Sequence, residues 1–139
     1  MSDEKLKLAF EKLGRALVKL EQVSAKPLDL DRAYIDSTIH RFEFVIELFW
    51  KLLKKIIEDL GQEVNYPREV IQEAFAGHLI NDEKIWLQML LDRNLTSHTY
   101  NEKLADDIYA NIKIYLPVLR DTFDDLNQRY GNLSFLKNN

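Results

Sequence analysis

Apolar residues recur along this chain at helical spacing. Leu6, Phe10, Leu13, Leu17 and Leu20 alternate steps of four and three, which predicts a helix from about Asp3 to Val23 with one buried seam. Asp3 and Glu4 suit its positive N-terminal end, and Ala25-Lys26-Pro27 stops it. A longer helix follows from about Asp31 to Leu60, with Gly61 as its C-cap. Its core stripe is Ile35, Ile39, Phe42, Ile46, Phe49, Leu53, Ile56 and Leu60. Pro67 opens a short helix, Arg68 to Ala76, closed by Gly77. Asn81 or Asp82 caps a helix from about Glu83 to Arg93. The last helix is predicted from Tyr100 to about Arg129, with Leu104, Ile108, Ile112, Tyr115 or Leu116, Leu119, Phe123 and Leu126 inward. Pro117 removes one of its hydrogen bonds and predicts a kink. A frayed tail is expected after Gly131. Short connections favour antiparallel neighbours. The fold expected is therefore all-α: an up-down-up-down four-helix bundle with an extra short helix, one domain over residues 1–139.

The long second helix carries another stripe at the same spacing: His40, Glu43, Glu47 and Trp50. Two readings stay open. It is a solvated face with a Glu47–Lys51 pair one turn apart, or a polar seam facing a reactive segment or a second subunit. Trp50 favours the seam, because an indole there should be partly covered.

Composition narrows the function. With 139 residues, 46% of them hydrophobic, the chain can bury one sizeable core. There is no cysteine, hence neither a disulfide framework nor a thiolate metal site, which is compatible with a reducing cytoplasm. No apolar run approaches the roughly 18 residues of a membrane span, and the charged start lacks a signal-peptide core. The net charge of -4 argues against general nucleic-acid binding. Any RNA contact then needs a local cationic patch. Phosphate-binding loops, dinucleotide fingerprints and hydrolase elbows are missing, as are the Gly-Ser and paired-Asp motif of a nucleotidyltransferase. No Glu has His three residues on, so a di-iron bundle is excluded. His40, Glu43 and Glu47 are a weak metal set, and no metal or cofactor is expected.

The reactive groups gather in Arg93-Asn94-Leu95-Thr96-Ser97-His98-Thr99-Tyr100. A guanidinium, an imidazole and a phenol lie between two helical patterns. On one continuous helix Arg93 and His98 would diverge by about 140°. A break, or a second copy of the chain, must bring them together. Thr99-Tyr100-Asn101-Glu102 reads as a capping box that starts the last helix at Tyr100. An imidazole can exchange a proton near neutral pH. The ordinary roles are also available: Arg93 as a cation at a helix C-terminus, His98 in loop hydrogen bonding, Tyr100 packed on the bundle.

Arg93-x4-His98-x-Tyr100 resembles the Arg-x4-His-x-Tyr signature of HEPN-domain proteins. Phe42-Glu43-Phe44-Val45-Ile46-Glu47-Leu48-Phe49-Trp50-Lys51, and Trp86 ahead of Met89 and Asp92-Arg93-Asn94, extend the likeness to the HepT-like group. That group is also called nucleotidyltransferase substrate-binding proteins, and its partner is a minimal nucleotidyltransferase (MNT). The resemblance implies a toxin of a toxin–antitoxin pair: a metal-independent endoribonuclease in which His98 is the general acid/base, Arg93 stabilises phosphate charge and Asn94 orients the substrate. It implies a homodimer whose two motifs face each other, and silencing by AMP transfer from the MNT to Tyr100. The alternative it implies is a non-catalytic subunit presenting substrate to the transferase. The dimer axis is expected near the helix of Trp86 and Met89, whose apolar character suggests excess surface, and near the start of the last helix.

Overall fold

The computed structural model describes residues 2–27 and 32–131. It is an all-helical bundle: α1 (Ser2–Ser24), α2 (Ala33–Asp59), the short α3 (Pro67–Ala76), α4 (Glu83–Leu95) and α5 (Glu102–Leu126). A single 3-10 turn, Thr96–His98, separates α4 from α5, and a π turn, Asn127–Gly131, follows α5 in place of the predicted last α-helical residues. The predicted helix start at Asp31 and the tail beyond Gly131 lie outside the described residues.

The α1 seam is buried at every predicted position, as is the α2 stripe from Ile35 to Ile56. Leu60 is the exception. It is the C-cap of α2 and stands exposed, because the chain turns away there. Gly61 adopts φ +97°, its N–H bonds to the Glu58 carbonyl and the Gln62 N–H to the Ile57 carbonyl. This paired closure needs a left-handed residue, which glycine accepts at no steric cost. The same closure ends α3, but there the left-handed residue is His78 (φ 61°), not Gly77. The His78 N–H bonds to the Phe75 carbonyl and the Leu79 N–H to the Ala74 carbonyl, which buries Leu79 against the core.

α5 turns Tyr115 rather than Leu116 inward and runs through Pro117 unbroken. Gly14 lets α5 lie close on α1: a Cβ there would stand 3.1 Å from the Phe123 ring. Arg120 clamps the same two helices, its Nε and Nη2 donating to the two carboxylate oxygens of Glu21 (2.9 and 2.6 Å).

The helix of Trp86 departs from expectation. Trp86 and Met89 belong to the monomer's own core, Trp86 edge-on to Phe49 with centroids 4.7 Å apart. They form no exposed patch. Apolar residues occupy every side of α4, so composition alone could not tell the inner face from the outer. The exposed ones are Leu91 and Leu95, one turn apart.

Candidate active site

The site begins where α4 ends. The Thr96 hydroxyl sits 2.8 Å from the Arg93 carbonyl, and the Thr99 hydroxyl donates to the Thr96 carbonyl at 3.0 Å. Short polar side chains that bond back to the backbone compete with helix continuation. The chain tightens into the 3-10 turn, satisfying carbonyls left over at the helix end. Thr99 is thus used backwards and caps nothing ahead of it. Asn101 caps α5 instead, accepting from the Leu104 N–H at 3.2 Å. Consequently Tyr100 is not the first residue of the helix. It lies on the turn before it, 84% exposed.

Arg93 points back onto α2. Its guanidinium pairs with Glu47 and also donates to Asn94 Oδ1 at 3.1 Å. Glu47 in turn accepts from the Trp50 indole N–H (3.1 Å) and pairs with Lys51 (3.3 Å). Partial burial pushes the Glu47 carboxyl up, but the Trp50 N–H, the Lys51 ammonium and the charge of Arg93 outweigh it. The net result lies below the usual carboxylate range. Glu43, one turn earlier, accepts from the Thr96 hydroxyl. That hydroxyl has one proton, so the Arg93 carbonyl and Glu43 compete for it. The stripe Glu43, Glu47, Trp50 therefore both faces the reactive segment and carries the Glu47–Lys51 pair.

Between α2 and the end of α4 lies an open cleft of about 410 Å³, lined by His40, Glu43, Phe44, Glu47, Arg93, Asn94, Thr96 and Ser97. His98 is not in its lining. It is exposed on the turn, edge-on to the Tyr100 ring with centroids 6.0 Å apart. Arg93 and Asn94 thus belong to the cleft, and His98 and Tyr100 to the adjoining rim. His40, Glu43 and Glu47 share the cleft, yet among the described residues no group of His, Asp and Glu is arranged to hold a metal ion.

Asp92 belongs to the Asp92-Arg93-Asn94 run, but no role is assigned to it from sequence. Asp92 is buried, and its carboxylate accepts from Tyr115 Oη (2.5 Å), Asn111 Nδ2 (3.0 Å) and Gln88 Nε2 (3.4 Å). Burial and this carboxylate push the Tyr115 phenol far up. Asp92 fixes the last turn of α4 to α5 beside Arg93. The clue was available: Asp92 follows buried Met89 by three residues, so it had to share part of its inward face.

Comparisons with known proteins agree with this architecture. The family described as "Nucleotidyltransferase substrate binding protein like" matches residues 8–128. "Probable ribonuclease HepT" of Haemophilus influenzae is 29% identical over 134 residues, covering 89% of this chain and 90% of that protein. A solved structure from Thermus thermophilus superposes with a TM-score of 0.75 at 33% identity, covering 82% of this chain and 98% of the other. A second, from H. influenzae, is described as the fold of a substrate binding domain of a nucleotidyltransferase. Its TM-score is 0.64 at 27% identity, covering 90% of this chain and 98% of the other. No helix among the described residues is long and apolar enough to cross a membrane. With a family match spanning most of its length and the same helical fold, the chain belongs to the nucleotidyltransferase substrate binding protein-like family.

Proposed function

We propose that this chain is a cytoplasmic HEPN ribonuclease, the toxin of a pair with a minimal nucleotidyltransferase that silences it by AMP transfer to Tyr100. The observation that carries the reading is the division of the motif: Arg93 and Asn94 line an open cleft while the His98 and Tyr100 rings stand exposed on its rim. A two-fold dimer lets the rim of one copy close the cleft of the other. Leu91 and Leu95, exposed on α4 beside Arg93, supply apolar surface for that contact.

One imidazole takes the proton of a ribose 2′-OH, and the oxygen attacks the adjacent phosphorus. The bond to the 5′ oxygen breaks, and the same imidazole, now protonated, returns the proton to it. The products are a 2′,3′-cyclic phosphate and a 5′-hydroxyl. Glu47 and Asn94 hold the Arg93 guanidinium, and in this reading its positive charge stabilises the charge that develops on the equatorial phosphate oxygens. In the silencing step the Tyr100 phenol gives its proton to water, its oxygen bonds to the α-phosphorus of ATP, and the bond from that phosphorus to the bridging oxygen breaks as pyrophosphate leaves. The adenylate places an anion and a bulky base on the rim.

A non-catalytic substrate-binding subunit is the second reading. It draws on the description of the H. influenzae structure, the net charge of -4 and the two carboxylates in the cleft. Mixing separates the two. An Arg93→Ala protein and a His98→Ala protein, each inactive alone, should regain RNA cleavage when their subunits exchange, because one composite site in each mixed dimer is intact. A monomer by light scattering at every concentration, or no recovery in proven mixed dimers, removes the shared site.

A further inference from the structure

The cleft does not attract a polyanion by itself, because Glu43 and Glu47 offset Arg93 within it. The attraction lies next door. Two hollows along the α1–α2 groove, about 460 and 280 Å³, share Lys12 and Leu48, and the larger meets the cleft at Phe44. Lys5, Lys12, Arg15 and Lys19 of α1 face Arg41, Lys51 and Lys55 of α2 across this groove. Seven of the chain's 19 Lys and Arg stand here, and no carboxylate among the described residues lines either hollow. Lys51 pairs with Glu47; none of the other six makes an ion pair among the described residues.

The four α1 cations fall at steps of seven, three and four, which keeps them on one helical face spanning about 21 Å. In a chain of net charge -4, such a face is a local field of the opposite sign. Its floor is apolar: Leu8 (54% exposed), Ala9, Leu48 and Phe44 (56% exposed). Lysines that merely solvate a helix do not need an aromatic ring left bare among them. A cationic groove with an exposed aromatic is the combination that holds single-stranded nucleic acid, with phosphates on the cations and bases on the ring.

We propose that the α1–α2 groove is a single-stranded RNA track that delivers the strand to the Arg93 cleft, with one base stacked on Phe44 at the junction. This rests on the ribonuclease reading for its purpose, but it predicts binding whether or not the strand is cut. A single strand is the occupant the bare Phe44 ring favours, because only unpaired bases are free to stack on it.

The test is fluorescence anisotropy with a labelled 12-nucleotide 2′-O-methyl RNA, which lacks the attacking hydroxyl and cannot be cleaved. The probe should bind the wild-type chain with affinity that falls steeply with salt. The triple variant Lys12→Glu, Arg15→Glu, Lys19→Glu should bind at least about tenfold more weakly and flatten the log–log salt slope by about 2, three single-strand phosphate contacts being lost. A control of equal charge change off the groove, Lys7→Glu, Lys84→Glu, Lys103→Glu, should lose far less. Phe44→Ala tests the stacking separately and should cost about fivefold. His98→Ala should bind as wild type does, so loss of cleavage and loss of binding are told apart. Equal binding by groove and control variants overturns the proposal, as does no binding of the probe by wild type. Loss of complex with the nucleotidyltransferase in the groove variant, with RNA binding intact, overturns it too and makes this face a protein interface.

Discussion

Asp92 and Arg93 are neighbours in sequence and opposites in setting. Asp92 is buried and its carboxylate has three donors. From Arg93 to Tyr100 the chain passes from the cleft to the open rim, ending in a phenol with 84% of its surface free. The first region holds the helices together, and the second leaves its imidazole and phenol open to solvent. A buried anion surrounded by neutral donors cannot change partners without a large loss, whereas an exposed imidazole can be replaced at little structural cost. The contrast explains how a segment on a turn can be placed accurately: the residue before it is fixed in the α4–α5 seam.

The largest effect should come from breaking that anchor. Asp92→Ala strands the Tyr115 hydroxyl and the Asn111 amide in the interior and should cost about 3 kcal/mol in denaturant unfolding. His98→Ala in the same assay should stay within about 0.5 kcal/mol. Equal losses would erase the distinction between anchor and rim.

Tyr115→Phe removes one of the three donors and should cost about 1–2 kcal/mol. It should also change the alkaline limb of stability. The Tyr115 phenol is raised by burial and by the Asp92 carboxylate in the folded state, so its contribution is complete below the ordinary phenol value of about 10. It is lost as pH climbs toward the raised folded value. Wild type should therefore lose stability above about pH 10 more steeply than Tyr115→Phe, measured by urea titration at stepped pH.

Glu47→Gln lies between the two regions. The Glu47 carboxyl is held low by Trp50, Lys51 and Arg93 against the upward push of its burial. Its contribution is present above the ordinary carboxylate value and is lost as pH falls through the lowered one. At neutral pH the substitution should cost about 1 kcal/mol or less, since the pair is partly exposed. Its effect on function should be larger: released from α2, Arg93 should leave KM for RNA nearly unchanged while kcat falls about tenfold.

Tyr100→Phe should leave melting unchanged. Incubated with the cognate transferase, ATP and magnesium, wild type should gain an adenylate on the peptide carrying Tyr100, and the variant none. An adduct on Tyr109 or Tyr115 removes the regulatory role.

The same contrast marks how far the sequence could be read. Leu13, Phe42 and Ile112 were legible because burial on α1, α2 and α5 follows a single period. α4 was not, because its apolar residues surround the axis and nothing in the pattern sets the buried Trp86 apart from the exposed Leu91. The stretch from Arg93 to Tyr100 was found by its chemistry. Its geometry was not, because Thr96 and Thr99 bond backwards and Asn101 takes over the cap. Such short-range competition has no periodic signature.

The central claim is that the exposed turn does chemistry on RNA with Arg93. The direct measurement is cleavage of a labelled single-stranded RNA by the purified chain in EDTA, with the new ends identified. Wild type should produce 2′,3′-cyclic phosphate and 5′-hydroxyl ends, and Arg93→Ala and His98→Ala, folded as wild type, should produce neither. Cleavage that persists in His98→Ala, or that vanishes on chelation, would contradict the account.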